Sequence, residues 1–173
     1  FSKNEREIRY IDIMRENFGF RKDMTLMEVG AGVGDNLLFF QRFGLSWENI
    51  YANELLPDRY AILETRLSEK SHTFPGDALQ MPFKDKFDIV LQSTVFSSLL
   101  DQDFKQTFAN KLLDMVKKDG IVLWYDFKYN NPKNKDVKGV SRSEIRKLFS
   151  GASDIKFYNV TVAPPIGRRI HKL

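Results

Sequence analysis

The most constraining feature of this chain is the run Glu28-Val-Gly30-Ala-Gly32-Val-Gly34-Asp35-Asn36, because of what flanks it. Before it, Met24-Thr-Leu-Met-Glu-Val29 is a short apolar segment that reads as a buried strand. After it, Asn36 to Phe43 reads as a helix that stops at Gly44. Glycines between a strand and a helix let the backbone turn sharply and let a ligand approach the main chain with no Cβ in the way. A dinucleotide fingerprint counted from Gly30 requires glycine at position 35, and this chain has Asp35 there. Its glycines instead recur at every second residue, with the acid Glu28 two residues before the first. The P-loop Lys-Ser/Thr pair is missing as well, so the loop is not a phosphate cradle of that kind.

The rest of the chain alternates between strand and helix patterns. Ile8, Ile11, Met14 and Phe18 predict an amphipathic helix over about 4–18, closed by Gly19. Asn49 to Asn53 is strand-like, and Pro57-Asp58 opens a helix through Leu67. Ser71 to Phe74 is a weak strand before Pro75-Gly76-Asp77, and Phe87 to Leu91 is a clear one. Phe104, Phe108 and Leu112 give a helix over about 102–116, which Lys117-Lys-Asp-Gly120 is expected to end. Ile121 to Tyr125 is the next strand, followed by a polar loop from Lys128 to Gly139. Ser141 then caps a helix, with Glu144 at capping-box spacing and Ile145, Leu148 and Phe149 on its apolar face. Ile155 to Val162 is expected to be the last strand. This order predicts an α/β fold, a mostly parallel sheet with helices on both faces. Ligands in such sheets bind at the carboxyl ends of the strands.

Composition narrows the chemistry. A length of 173 residues fits one domain over 1–173. With no cysteine, disulfides, Cys-ligated zinc, iron–sulfur clusters and a thiol nucleophile are excluded. The two histidines, His72 and His171, argue against a His-rich metal site, and no metal is expected. His72 precedes a strand and is expected at the edge away from the site, in a structural role. The longest uncharged stretch, Ile89 to Leu100, is well short of the ~20 residues that span a bilayer. The charged start, Phe-Ser-Lys-Asn-Glu-Arg-Glu, does not fit a signal peptide. A soluble, cytoplasmic protein is the expectation. Basic charge is segregated: residues 128–173 carry 11 Lys/Arg against 3 Asp/Glu, whereas residues 1–127 carry 16 against 20. Such a region reads as a solvated basic tail or as a surface that attracts an anionic acceptor.

The second strand ends in Asn53-Glu54, about twenty residues past the glycine loop. An acid there accepts hydrogen bonds from both ribose hydroxyls of a nucleoside and repels a 2′-phosphate. Together, Glu28-x-Gly30-x-Gly32-x-Gly34, Glu54, Gly76-Asp77-Ala78 and Phe87-Asp88-Ile89-Val90 resemble a class I S-adenosylmethionine-dependent methyltransferase over about residues 4–127. The resemblance implies a Rossmann-like, seven-stranded sheet with a reversed last strand. It places Glu28, Gly30, Ala31, Gly32 and Gly34 on the methionine side of S-adenosyl-L-methionine, whose product is S-adenosyl-L-homocysteine. It places Asn53 and Glu54 at the ribose, and Asp77 with the Ala78 backbone at the adenine. Gln92, Ser93 and Thr94 border cofactor and acceptor, and Arg9 and Tyr10 of the leading helix are candidates for the cofactor carboxylate. After Ala163-Pro164-Pro165 only eight residues remain, too few for a seventh strand. Either the last strand is missing from a shortened fold, or this chain, which starts at Phe1 without Met, is a piece of a longer one.

Methyl transfer from a sulfonium is an in-line displacement in which the protein mainly positions two partners. A hydroxyl acceptor benefits from a general base near the methyl. Asp126, directly after Trp124-Tyr125 at the expected ligand edge, is the candidate base. Tyr129, Asn130 and Asn131 suit sugar hydroxyls, and Arg168 and Arg169 suit a phosphate. His171 has no assigned role. The Asn/Asp-Pro-Pro-Tyr/Phe segment of nucleobase amino-methylating members is replaced here by Gln92-Ser-Thr-Val-Phe96. The loop from Tyr129, with Val160-Thr-Val-Ala-Pro-Pro165 and the Arg168-Arg169 pair, also looks similar to uncharacterised methyltransferases that accompany glycan-building enzymes. Three readings follow: O-methylation of a small-molecule or glycan-type acceptor, methylation of nucleic acid such as RNA, or a cofactor-binding module without activity.

Overall fold

The computed structural model describes residues 2–19, 21–130 and 134–160. Its helices are α1 (Ser2–Phe18), α2 (Asp35–Arg42), α3 (Pro57–Arg66), α4 (Gln102–Met115) and α5 (Arg142–Leu148). Its strands are β1 (Leu26–Val29), β2 (Ile50–Glu54), β3 (His72–Pro75), β4 (Phe87–Ser93) and β5 (Val116–Tyr125). The chain falls into two units, residues 22–155 and residues 1–21 with 156–173.

In the larger unit the five strands form one parallel sheet in the order β3-β2-β1-β4-β5. The chain lays β2 and β3 on one side of β1, then crosses back to lay β4 and β5 on the other. Right-handed crossovers running in opposite directions put their helices on opposite faces. Thus α3 packs on β2 and β3, while α4 packs on β4, β5 and α5. This two-sided covering explains the unbroken apolar runs: Leu26, Met27, Ile50, Ala52, Ile89, Val90 and Leu91 have no exposed surface. The direction of winding switches between β1 and β4, where Val29 stands beside Gln92.

Asp88 holds the other edge of the sheet together. Its Oδ2 accepts from the Thr25 N–H and hydroxyl, both at 2.8 Å, and from Lys117 Nζ at 3.0 Å. Burial alone would raise this carboxyl, but the Thr25 and Lys117 donors outweigh it and hold Asp88 below the usual carboxylate range. The pairing corrects one sequence expectation. Lys117 to Gly120 does not end a helix; α4 stops at Met115 and these residues begin β5. Between the pairs Phe87↔Val116 and Ile89↔Ile121 the register shifts, so the extra residues of β5 bulge. Gly120 fits this bulge because a Cβ would lie 2.7 Å from the Asp88 carbonyl. The basic residue expected to cap a helix is drawn to Asp88 instead.

Ser141 caps α5 as expected, its hydroxyl accepting from the Glu144 N–H at 3.1 Å. The Glu144 carboxylate serves another partner, the fully buried Lys105 ammonium of α4, at 2.7 Å. Burial raises the Glu144 carboxyl, and Lys105 with the Ser141 cap more than offsets this, leaving it low.

In the smaller unit, α1 ends at Gly19, whose N–H donates to the Arg15 carbonyl at 3.2 Å. The Arg9 guanidinium lies 4.9 Å from the centre of the Tyr158 ring. The strand expected over 155–162 is not formed at residues 155–160, and the remainder lies outside the described residues. An alternating pattern becomes a strand only with a ladder partner, and here Tyr158 is engaged by a helix side chain.

Candidate cofactor and acceptor site

A parallel sheet gathers all its carboxyl ends at one edge, so Gly30, Glu54, Gly76, Ser93 and Asp126 lie at adjacent strand tips. The tips are laced together. The Ala31 N–H donates to the Asn53 carbonyl (2.8 Å) and the Gly76 N–H to the Glu54 carbonyl (2.9 Å). The Asn53 amide donates to the Phe74 and Gly76 carbonyls at 3.1 and 2.8 Å, tying β2 to β3.

The glycines do different things. At Gly30 a Cβ would meet Val95 Cγ2 at 2.6 Å, so the loop after β4 packs directly on the loop after β1. At Gly34 it would meet Leu63 of α3 at 2.8 Å. Gly32 has a φ of +59° and nothing within 4 Å of a Cβ position, so this stretch of backbone is open to a ligand. Glu28 is buried, with Oε1 accepting from the Asn36 amide at 2.6 Å, which ties β1 to the first turn of α2. Asp35, where a dinucleotide loop would have glycine, pairs with Arg66 at 2.7 Å. Arg66 also donates to the Val33 carbonyl at 2.6 Å and so clamps the loop from outside. The sequence reading missed Arg66, because its distance along the chain leaves no local signal.

Glu54 is 4% exposed, and its carboxylate is held by two backbone donors. Oε2 accepts from the Gly32 N–H at 2.7 Å and Oε1 from the Leu56 N–H at 2.8 Å. Each oxygen keeps a second lone pair, which suits a vicinal diol. Asp77 is exposed, and Oδ1 caps the turn Ala78–Gln80 by accepting from the Leu79 N–H at 2.9 Å. Ala78 is buried behind it. Gln92, fully buried opposite Val29 and Trp124, accepts at Oε1 from the Val95 N–H at 3.0 Å. Among the described residues its Nε2 has no hydrogen-bond partner. A buried donor left unmade costs about 1–3 kcal/mol, which a ligand acceptor would recover. An open Gly32, a held carboxylate and an orphaned donor at the switch point fit an adenosyl cofactor. Ser93 ends β4 beside Tyr125.

The loops after β4 and β5 meet beside these strand tips. Thr94 has a φ of +62°, a conformation costing a β-branched residue about 1–3 kcal/mol. Its N–H donates to the Tyr125 carbonyl at 2.7 Å, which joins the two strand ends. Asp126 accepts at Oδ2 from the Ser97 N–H (3.3 Å) and at Oδ1 from the Phe127 N–H (3.2 Å). Burial pushes its carboxyl above the usual range despite donors from Ser97, Phe127 and the Trp124 side chain. A carboxylate destabilised by burial is a stronger base than one in water.

Asn130 turns inward within its loop, Oδ1 accepting from the Gly139 N–H at 2.8 Å. Tyr129 is 71% exposed, with Lys128 Nζ 5.2 Å from its ring centre. Asn131, Arg168, Arg169 and His171 lie outside the described residues. Arg9 and Tyr10 belong to the smaller unit. His72 stacks on Tyr51 (4.2 Å between ring centres) at the start of β3, far from these strand tips, as expected. Among the described residues no group of acidic and histidine side chains could hold a metal, and no helix is long and apolar enough to cross a membrane.

Comparison with known proteins agrees with this geometry. The family model described as "Methyltransferase domain" matches residues 27–124. Among solved structures, the cyclase SpnF is 16% identical with a TM-score of 0.65, over 83% of this chain and 55% of that one. A putative methyltransferase from Bacillus halodurans is 18% identical with a TM-score of 0.64, over 82% and 66% respectively. An amino pentose methyltransferase of calicheamicin biosynthesis from Micromonospora echinaspora, solved with S-adenosylmethionine bound, is 15% identical with a TM-score of 0.66, over 85% and 81%. The chain thus spans little more than half the length of SpnF. With a family model covering more than half of its residues and a doubly wound sheet that matches these structures, the chain belongs to the class I S-adenosylmethionine-dependent methyltransferase family.

Proposed function

We propose that this protein is an active S-adenosylmethionine-dependent methyltransferase that methylates an oxygen of a small-molecule or glycan-type acceptor. We take 1–173 as one cofactor-binding domain, working in the cytoplasm. When bound, the cofactor supplies an activated methyl group with its own leaving group. Gly32 and Glu54 hold its nucleoside, Asp77 and Ala78 border the adenine, and Gln92 and Ser93 close the side toward the acceptor. Asp126 takes the proton from the acceptor hydroxyl as that oxygen attacks. The observation that carries this reading is Asp126 itself. It is a carboxylate made more basic by burial, fixed to the loop that runs on from the cofactor side. A cofactor module would not need it, and an amine acceptor needs it less. Tyr129 and Asn130 rim the acceptor side, and Asn131, Arg168 and Arg169 extend that proposal to phosphate-bearing acceptors.

The test is transfer of labelled methyl from S-adenosylmethionine to a panel of hydroxylated sugars, glycans and phenols. Labelled product with wild type and a large loss in Asp126→Asn is expected. Full turnover in Asp126→Asn would remove the base assignment. The cyclase SpnF shows that this fold also carries other chemistry. If cofactor binds but no acceptor is methylated, the module reading stands. The basic excess over residues 128–173 favours nucleic acid as the second acceptor class. Binding to RNA that falls steeply with salt would support it.

A further inference from the structure

Ser97 is 1% exposed, and its hydrogen bonds reach two other segments as well as its own turn. Its N–H donates to Asp126 Oδ2 at 3.3 Å. Its carbonyl accepts from the Lys138 N–H at 2.8 Å. Its hydroxyl donates to the Thr94 carbonyl at 3.2 Å. The same side chain lies beside the Asp126 carboxylate and favours its ionised form. The backbone N–H thus holds the base candidate while the hydroxyl holds the carbonyl of the strained turn.

We propose that Ser97 is the positioning residue of Asp126, aiming its carboxylate and tying it to the turn at Thr94. The proposal rests on the reading of Asp126 as base. Asp126 is the first residue after β5, where no ladder fixes the chain. The groups that face its carboxylate are the Ser97 N–H and hydroxyl, the Phe127 N–H and the Trp124 indole, and none of them is charged. Among the described residues these donors are all neutral, so the orientation of the carboxylate depends on them, and Ser97 is one of the two residues whose N–H holds it. A general base works only when it is held within hydrogen-bond reach of its proton. The Lys138 bond extends the same anchor to the far side of the loop that rims the acceptor, and the Thr94 bond extends it to the cofactor side. Ser97 thus ties the turn at Thr94, the base candidate and the far side of the loop after β5 to one another.

The test reads the pKa of Asp126 by carbon-13 NMR of labelled aspartate carboxyls, the resonance being assigned by its loss in Asp126→Asn. Ser97→Ala, which keeps the backbone donor and removes the hydroxyl, is expected to move that pKa up by about one unit. Ser97→Cys keeps the shape with a weaker donor. It gives a smaller upward shift, readable even if Ser97→Ala fails to fold. Calorimetry with S-adenosylhomocysteine on the same samples is expected to show unchanged affinity. An Asp126 pKa that stays at the wild-type value in both variants overturns the proposal. Failure of wild type to bind S-adenosylhomocysteine would instead overturn the function proposed above, while the titration still decides the role of Ser97.

Discussion

Replacing Glu54 by alanine separates two jobs that the structure gives one carboxylate. The first is internal. Glu54 accepts from the Gly32 and Leu56 N–H groups at 2.7 and 2.8 Å in a site that is 4% exposed. Removing it strands two part-buried donors, each costing up to about 1–3 kcal/mol. At roughly 2–4 °C per kcal/mol for a domain of this size, Tm falls by several degrees with no ligand present. The second job is the ribose. A charge-assisted hydrogen bond contributes about 1.5–3 kcal/mol, so losing one weakens cofactor binding roughly 10- to 150-fold. Glu54→Gln is the sharper probe. Its size is preserved, but its amide nitrogen must face one of two N–H donors, so stability drops while volume does not change. The assay is calorimetry with S-adenosylhomocysteine, run well below each variant's Tm, together with thermal melts. Wild-type affinity in Glu54→Ala would refute the ribose assignment. A wild-type Tm would refute the claim that the carboxylate anchors the glycine loop.

Other expectations follow from the same geometry. Asp126 has a folded pKa above its unfolded one, so its contribution to stability is present at low pH and is lost as pH rises through the folded value. Asp126→Asn should therefore melt above wild type at pH 7, converge with it in acid, and lose methyl transfer; thermal melts across pH check the first two. Asp88 works in the opposite sense, because its folded pKa is depressed. Its stabilisation is present above the unfolded value near pH 4 and is lost as pH falls, so Asp88→Asn should flatten the acid limb of the Tm–pH curve. Glu144→Gln strands the buried Lys105 ammonium and should cost up to about 3–5 kcal/mol in urea denaturation, whereas Lys105→Met should cost much less. Gly30→Ala forces a side chain onto Val95 at a positive φ. It should lower cofactor affinity, and Val95→Ala should rescue only the steric part, as calorimetry on the double variant would show.

The sequence made the frame readable because its signals were local. The glycine loop, the acid at the next strand tip and the alternating helix and strand patterns each lie within a few residues, and they recur in the sheet order observed. What escaped depends on distant partners. Lys117 to Gly120 has the composition of a helix end. The carboxylate of Asp88 and the close approach of Gly120 to β4 turn it into a bulged strand. Ile155 to Asn159 alternates like a strand but finds no ladder among the described residues, and Tyr158 meets Arg9 instead. The resemblance assigned Asn53 to the ribose, and the amide of Asn130 suggested sugar hydroxyls. The structure spends those groups on the Phe74 and Gly76 carbonyls and on the Gly139 N–H. Arg66 and Ser97 carried no sequence signal at all, since each matters only through contacts with other strand-end loops.

The crevice between β1, β2 and β4 is where the cofactor is expected to lie. A crystal grown with S-adenosylhomocysteine should show its ribose hydroxyls within hydrogen-bond distance of both Glu54 oxygens, with its nucleoside against Gly32. A nucleoside bound elsewhere, or none at saturating concentration, would contradict it.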